Sequence, residues 1–195
     1  CDYQLLETKS GDLTPMLGLY GTGNSHAVAA GRIAYTLGAK GPAYSVDTAC
    51  SSALIAAHLG CMDLRNGITN MGLAGGVHLL LAPDLYINFA KAHMLSPNGR
   101  CATFDETADG FCRAEGSCMV VLKRVSEAEA DGNQIVALVH GSATNQDGRS
   151  NSLTAPNGPS QQMCITDALQ MGGIEPASVS YLECHGTGTS LGDPI

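Results

Sequence analysis

A cysteine flanked by small and hydroxyl-bearing residues is the side chain in this sequence best suited to act as a nucleophile. Residues 46–53 read Val-Asp-Thr-Ala-Cys-Ser-Ser-Ala, after an apolar run at 43–46 that predicts a strand and before a helical pattern at 51–66. Cys50 is therefore predicted on the turn between strand and helix. The first N–H groups of a helix are unpaired and carry the positive end of its dipole. A thiol there ionises more easily, and the same groups can stabilise an oxyanion. The alternative is a small buried residue, the usual state of a free cysteine.

A histidine beside a glycine-rich turn is the second candidate. His185 follows an apolar run at 179–184 and precedes Gly-Thr-Gly-Thr at 186–189. Its ring should project from the carboxyl end of a strand, where open α/β sheets gather their ligands, while Cys184 points the other way. The glycines on both sides of Thr187 let a substrate approach the backbone, and a nucleophile needs a partner. The alternative is a structural histidine bonded to the backbone.

These candidates require an alternation of strands and helices to position them. Helices are predicted at 27–37, with Ser25 as N-cap, and at 51–66, 83–90, 125–130 and 160–171, the last capped by Ser160. Strands are predicted at 16–20, 43–46, 71–81, 118–122, 135–141 and 179–184. The strands are too apolar to have a solvated face, which predicts an α/β fold with a mostly parallel sheet covered on both sides. The long loop at 145–159 is of a length that is usually functional or disordered.

Composition and charge exclude several classes of function. The net charge of −8 with scattered Lys and Arg gives no electrostatic footprint for nucleic acid or an anionic membrane. No run of 18 apolar residues and no signal peptide is present. Eight cysteines without a C-x-x-C pair favour reduced thiols in an intracellular, cytoplasmic protein, although organelle targeting stays open. A start at Cys1 and a stop at Ile195 predict a piece of a longer chain.

Rival motifs fail on spacing. The Gly-Thr-Gly at 21–23 would need a third glycine at 26 for a dinucleotide fingerprint, where the sequence has His26. The Gly-Thr-Gly at 186–188 would need one at Leu191. No P-loop pattern occurs, and the Cys and His residues lack zinc-ligand spacing, so no metal is predicted. Four charged residues are predicted to form a solvated or ion-paired loop: Asp105, Asp109, Arg113 and Glu115.

Taken together, the motifs resemble the β-ketoacyl synthase family, specifically the ketosynthase domain of type I modular polyketide synthases, from end to end. Residues 47–52 (Asp-Thr-Ala-Cys-Ser-Ser) resemble the family's nucleophile motif. Residues 183–189 (Glu-Cys-His-Gly-Thr-Gly-Thr), with 191–195 (Leu-Gly-Asp-Pro-Ile), resemble its first histidine motif. Further stretches resemble the polyketide branch more than the stand-alone fatty-acid enzymes: 94–100, 109–111, 145–151 and 154–157.

The resemblance implies a thiolase-like fold in α-β-α-β-α layers, built from two related halves and working as a homodimer. The chain would hold the N-terminal half and the start of the C-terminal half of one ketosynthase domain, truncated at both ends. The second histidine, the catalytic lysine and the Gly-Phe loop of the acyl pocket would follow Ile195. This segment alone is therefore expected to be inactive.

The implied reaction is a decarboxylative Claisen condensation in polyketide or fatty-acid biosynthesis. Cys50 would accept an acyl chain from a phosphopantetheine arm, and a malonyl-type unit on an acyl carrier protein would lose CO₂ and attack that thioester. His185 would donate a hydrogen bond to the enolate oxygen, while Thr187 and Thr189 would contact the pantetheine arm. No cofactor is expected to bind directly, because the carrier protein supplies the phosphopantetheine.

Two departures from the family pattern and two alternative functions stay open. Cys184 stands where alanine is usual, and Ala114 where glycine is common; neither removes a known chemical group. One alternative is a non-elongating ketosynthase-like module that only passes acyl chains, which a missing second histidine would favour. The other is a thiolase-type enzyme of the same fold, which would use coenzyme A thioesters without a carrier protein.

Overall fold

A computed structural model describes residues 2–12, 14 and 16–195, and these divide into two compact units. Unit 1 contains the residues up to 84 together with 114–133, and unit 2 contains residues 85–113 and 134–195. The α-helices are α1 (Asp2–Thr8), α2 (Tyr20–Asn24), α3 (Ala29–Leu37), α4 (Ser52–Arg65), α5 (Asp84–Lys91), α6 (Val125–Ala130) and α7 (Gly158–Gly172). The strands are β1 (Met71–His78) and β2 (Gly116–Lys123).

Unit 1 is built on the pairing of β1 with β2. The strands run antiparallel, with Met71 opposite Lys123 and His78 opposite Gly116. Both strands were predicted and are confirmed, but the predicted parallel direction is wrong for this pair, which is the whole sheet that the described residues form. The predicted cover on both faces is also not found for β2, in which Met119, Val120 and Val121 are exposed. An apolar run without alternation does not fix strand direction, and a connection of this length can return the chain either way.

Helix α4 packs closely on this sheet because glycines face it. A Cβ placed on Gly76 of β1 would lie 3.0 Å from Ala53 Cβ at the start of α4. A Cβ placed on Gly60 of α4 would lie 3.0 Å from Leu122 Cδ1 of β2. Among the residues of unit 1 that the structure describes, the buried apolar ones are Cys61, Leu64, Ala74, Ala82 and Ala128. Helical spacing after Cys50 predicts that Leu54, Ala57, Cys61 and Leu64 face the core. Cys61 and Leu64 are buried and Ala57 is half-buried, whereas Leu54 is 77% exposed, so the prediction is wrong for Leu54.

Arg124 joins the C-terminal end of α4 to the end of β2. Its guanidinium donates to the carbonyl oxygens of Leu64 and Thr69, both at 2.7 Å. It also donates to Asn70 Oδ1 and Glu127 Oε1, both at 2.6 Å. Since the last carbonyls of a helix have no partner within the helix, this cation completes the end of α4.

The beginning of the chain differs from the sequence expectation. The predicted strand at 16–20 is wrong, because the chain turns at 18–19 and enters α2 at Tyr20. A short apolar run with glycine cannot be assigned to strand or helix by periodicity alone. The next predicted helix is confirmed as a 3₁₀ turn at His26–Val28 continued by α3, with Ser25 as N-cap but without a side-chain capping bond. The predicted strand at 43–46 pairs with no described strand.

In unit 2, helix α7 begins and ends with well-defined caps. Its N-cap is Asn157, whose side-chain oxygen accepts from Ser160 N at 3.3 Å, so the prediction of Ser160 as the cap is wrong by three residues. Gly173 closes the helix with φ of +61°. The predicted helix at 83–90 is confirmed as α5, and the one at 125–130 is confirmed as α6, which belongs to unit 1.

Two predicted strands of unit 2, at 135–141 and 179–184, belong to no sheet among the described residues. The first of them packs on α7, since a Cβ on Gly141 would lie 2.1 Å from Ala168 O. A strand requires a pairing partner as well as an apolar pattern. The local sequence shows the pattern but does not show whether a partner is present. Among the helices of the described residues, none combines the length and the hydropathy needed to cross a membrane.

Candidate active site

Cys50 lies at the centre of a 3₁₀ turn, Ala49–Ser51, that runs directly into α4 at Ser52. The turn is held by side chains of residues next to it in the chain. Asp47 Oδ1 accepts from Ala49 N at 3.0 Å. Ser52 Oγ accepts from Thr48 N at 2.9 Å and donates to Ala49 O at 2.7 Å. The predicted position at the head of the helix is confirmed.

The residue before Cys50 has an unusual backbone conformation. Ala49 has φ of +56°, a left-handed value that costs an L-residue roughly 1–2 kcal/mol. Ser51 Oγ supports the same turn by hydrogen bonds to Thr48, in which it lies 3.0 Å from the carbonyl oxygen and 2.8 Å from Oγ1. Strain of this kind persists only where surrounding contacts impose it, and it is concentrated at functional sites.

Cys50 and Cys61 contrast along the same helical segment. Cys50 is exposed, so the expectation of a small buried residue is wrong for it. Cys61 is buried, and burial raises the pKa of its thiol above the ordinary value of 9.0. The thiolate is the reactive form of cysteine. Of these two thiols, Cys50 is therefore the one open to a thioester.

The loop that follows His185 depends on two left-handed glycines. His185 is exposed, and Gly186 and Gly188 have φ of +52° and +71°. A Cβ on Gly186 would lie 2.7 Å from Thr103 Cγ2, and one on Gly188 would lie 2.9 Å from Ala102 N. Glycine is thus required at both positions by conformation and by space.

Long-range hydrogen bonds fix this loop from both sides. Thr103 Oγ1 donates to Gly186 O at 2.7 Å, and Gly110 N donates to Gly188 O at 3.0 Å. The Asp193 carboxylate accepts from Gly188 N at 3.1 Å and from Phe104 N at 2.8 Å. One carboxylate therefore ties the loop to a segment about ninety residues earlier in the chain.

Thr187 and Thr189 present neighbouring hydroxyls from this loop. Their Oγ1 atoms are 3.0 Å apart, and both residues are half-buried. Thr189 Oγ1 also accepts from Gly192 N at 3.1 Å. Such a hydroxyl pair can both donate to and accept from a polar chain laid across the loop.

The four candidate residues are distributed over the two units. His185, Thr187 and Thr189 share one loop of unit 2, whereas Cys50 belongs to unit 1. Sequence reasoning did not identify Thr103 and Asp193 as supports of the loop. The residues they contact lie 83 and 89 positions away, so no local pattern could reveal those contacts.

The charged residues that the sequence grouped together have separate partners. Asp105 accepts from the Thr107 hydroxyl and amide, which lowers the pKa of its carboxyl. Asp109 accepts from Asn98 Nδ2 at 2.9 Å, and Glu115 accepts from Leu80 N at 2.7 Å. The guanidinium of Arg113 lies over the rings of Tyr86 and Phe89, at 4.9 and 5.3 Å from their centroids. These contacts join each residue to a different part of the fold, and that the group has no catalytic role stays a prediction.

The loop at 145–159 is ordered by hydrogen bonds to the start of α7. Asn157 N donates to Asp147 Oδ2 at 3.2 Å, and Asn157 Nδ2 donates to Asp147 O at 2.9 Å. Asn145 Nδ2 donates to Ser160 O at 2.7 Å. The loop thus acts as a scaffold for the helix N-terminus.

Comparison with known proteins gives two family matches along the chain. Residues 2–128 match the family model described as the beta-ketoacyl synthase N-terminal domain, and residues 136–195 match the corresponding C-terminal domain. Among curated proteins, the chain is 57% identical over 175 residues to one subunit of the phenolphthiocerol/phthiocerol polyketide synthase of Mycobacterium tuberculosis, covering 90% of this chain and 11% of the relative. It is 53% identical over 195 residues to another subunit of the same synthase in that organism, covering 99% of this chain and 9% of the relative.

Solved structures of ketosynthases are also similar to this chain. The ketosynthase from module 6 of the bacillaene synthase of Bacillus subtilis 168 superimposes with a TM-score of 0.86 at 48% identity, covering 92% of this chain and 33% of that one. An oxazolomycin ketosynthase domain from Streptomyces albus JA3453 gives a TM-score of 0.86 at 45% identity, covering 87% and 29%. The predicted thiolase-like ketosynthase fold is confirmed for the part that the chain covers. The chain belongs to the β-ketoacyl synthase family, among the ketosynthases of modular polyketide synthases.

Proposed function

We propose that this chain is part of a ketosynthase domain that lengthens a Cys50-bound acyl chain by decarboxylative Claisen condensation in polyketide biosynthesis. The observation that carries the proposal is an exposed cysteine on a strained turn at the head of α4, in a chain of this family. The chain spans about a tenth of the curated relatives' length and about a third of the solved ketosynthases, so the remaining catalytic groups are assigned to sequence outside it.

The first step is acyl transfer. The Cys50 thiolate attacks the carbonyl carbon of an acyl thioester carried on a phosphopantetheine arm. The tetrahedral oxyanion is stabilised by the N–H of Cys50 and by the positive end of the α4 dipole, since Ala49 N and Ser51 N already bond to Asp47 and Thr48. The intermediate collapses by releasing the pantetheine thiolate, which takes up a proton. A thioester therefore forms on Cys50 as the pantetheine thioester breaks.

The second step forms the new carbon–carbon bond. A malonyl-type thioester loses CO₂, and its electron pair becomes an enolate whose oxygen accepts a hydrogen bond from the His185 ring. The enolate carbon attacks the Cys50 thioester and the Cys50 thiolate leaves, which restores the starting enzyme. Thr187 and Thr189 bind the polar groups of the pantetheine arm, and their adjacent hydroxyls support this role.

The proposal implies specific partners. An acyl carrier protein delivers both thioesters and holds the phosphopantetheine, so the chain itself needs no bound cofactor. We also propose a homodimer, an intracellular, cytoplasmic setting and no nucleic-acid or membrane partner. The cysteine pattern and the net charge of −8 support the setting and the exclusion of nucleic acid and anionic membranes.

Acyl labelling of the full-length protein tests the first step. Incubation with a labelled acyl thioester should modify one site in the wild type, and Cys50→Ala should abolish the label. Cys118→Ala, which removes another exposed thiol, is the matched control and should label normally. Label that persists in Cys50→Ala would refute the assignment of the nucleophile.

A His185→Ala variant tests the second step separately. We expect acylation of Cys50 to survive, while CO₂ release from a malonyl-type carrier thioester falls by about a hundredfold or more, the effect of losing one oxyanion donor. Acylation without elongation in the wild type would instead identify the passive module. Full decarboxylation in His185→Ala would remove the role of His185.

A further inference from the structure

We propose that Cys101 and Cys112 form an oxidisable dithiol, a modification site that a peroxide converts to a disulfide spanning the segment that holds the Gly186–Gly188 turn. The site is separate from Cys50 and independent of the proposed condensation. Both residues lie in unit 2, both are exposed, and both are free thiols.

The sulfur of Cys101 lies against the backbone of Cys112. Cys112 N donates a hydrogen bond to Cys101 Sγ at 3.2 Å. With a near-linear N–H···S bond, standard bond lengths put Cys112 Cα about 4 Å from this sulfur. The two Cα atoms are then separated by less than about 7 Å, close to the range in which disulfides form.

Only the Cys112 side chain has to reorient for the bond to form. Its thiol makes one long contact, donating to Arg113 O at 3.6 Å. Thiols are weak donors and this side chain is exposed, so rotation about χ1 loses only a weak hydrogen bond. The long hydrogen bond to Arg113 O is therefore a weak restraint on the second sulfur.

The two cysteines lie at the ends of the segment that positions the histidine loop, the loop at 186–193 that follows His185. Between the two cysteines lie Thr103, which donates to Gly186 O, and Gly110, which donates to Gly188 O. Cys101 itself touches the loop, since a Cβ on Gly188 would lie 3.3 Å from Cys101 Cα. A disulfide here would fix both ends of this supporting segment.

The oxidation balances with hydrogen peroxide as the co-reactant. One thiolate attacks an oxygen of the peroxide, giving a sulfenic acid and, after protonation, one water. The other thiolate then attacks the sulfenic sulfur, the S–S bond forms, and hydroxide leaves as a second water. Two electrons pass from the sulfur pair to the peroxide, and a dithiol reductant reverses the step.

Peptide mapping of the full-length protein tests the proposal. The protein is treated with stoichiometric hydrogen peroxide, alkylated, digested without reduction and analysed by mass spectrometry. We expect a cross-linked pair of peptides containing Cys101 and Cys112, lighter by about 2 Da than the two reduced peptides, and its loss on treatment with dithiothreitol. Cys101→Ser and Cys112→Ser should abolish the cross-link, whereas Cys118→Ser should preserve it.

The wild-type map is decisive even if a variant fails to fold. Both cysteines recovered as alkylated thiols, while other exposed cysteines are oxidised, would overturn the proposal. So would a cross-link that joins either residue to a different cysteine, or conversion of both to sulfinic acids without a cross-link.

Discussion

The turn that carries Cys50 and the loop that follows His185 are stabilised in opposite ways. Around Cys50 the side-chain bonds from Asp47, Ser51 and Ser52 all reach partners within four residues. The Gly186–Gly188 turn is instead held by Thr103 and Asp193 through bonds that connect positions more than eighty residues apart. The first is a local structure, and the second exists only when distant segments have folded together.

This difference has a physical consequence for tolerance to change. A local turn forms at little cost in loop entropy, so losing one of its bonds leaves the others to maintain it. A loop fixed by long-range contacts depends on each of them, because every lost bond frees a segment whose ends are far apart in sequence. We therefore expect larger effects in the histidine loop than in the cysteine turn.

The largest effect is expected for Gly188→Ala. The added methyl group meets Ala102 N at 2.9 Å, and alanine must adopt φ of +71°. Left-handed strain and overpacking together should weaken the loop by about 2–4 kcal/mol. Hydrogen exchange of peptides covering 186–193 in the full-length protein measures this loss. Gly116→Ala is the control, because a Cβ there meets nothing within 4 Å; equal exchange in both variants would contradict the expectation.

Asp193→Ala should rank second. It removes the acceptor of both Gly188 N and Phe104 N, at a cost of about 2 kcal/mol for bonds to a charged group. The same peptides should exchange faster, and condensation should slow while Cys50 acylation is unchanged. Asp193→Asn retains one acceptor oxygen and should show about half the effect. An alanine variant with unchanged exchange would show that the carboxylate does not hold the loop.

Ser52→Ala tests the local turn and should have a smaller effect. The hydroxyl bonds to Thr48 N and Ala49 O are lost, while the Asp47 bond remains. The expected loss is about 1 kcal/mol, similar to the loss of a helix cap. Exchange of peptides covering 47–55 reports it, and Ser52→Thr, which keeps the hydroxyl, is the control. An effect larger than that of Asp193→Ala would reverse the proposed order.

Ala49→Gly should have the smallest effect and the opposite sign. Glycine adopts φ of +56° without strain, which recovers roughly 1–2 kcal/mol. Its greater freedom in the unfolded chain offsets about 0.5–1 kcal/mol, so a net gain of about 0.5 kcal/mol is expected. Slower exchange at 47–55 would agree, whereas faster exchange would show that Ala49 is not strained. Ala53→Gly, at the start of α4, is the control that should destabilise.

Sequence predicted most of what depends on neighbours along the chain. The helices α4, α5, α6 and α7 and the strands β1 and β2 follow from apolar spacing and end signals, and Cys50 was correctly placed at the head of α4. Gly67, a natural stop for the helical pattern at 51–66, adopts φ of +69° two residues after α4 ends. Patterns of this kind need no knowledge of distant partners.

Most of the failures depend on such partners. The direction of β2 relative to β1 is decided by the path of the chain between them. The run at 16–20 was too short for its apolar residues to distinguish strand from helix. The role of Asp193 could not be predicted from its neighbours in the sequence, because it binds Phe104 N, which lies 89 positions earlier in the chain.

The two glycines between α4 and its sheet have one more implication. There is little room for a side chain at Gly76 beside Ala53 or at Gly60 beside Leu122, so the distance between helix and sheet depends on two positions that carry no catalytic group. A methyl group at position 76 would lift the N-terminal end of α4, and the sulfur ahead of it would shift with the helix. A substitution on β1 is thus expected to change the position of the Cys50 sulfur without altering any residue of the 47–52 motif.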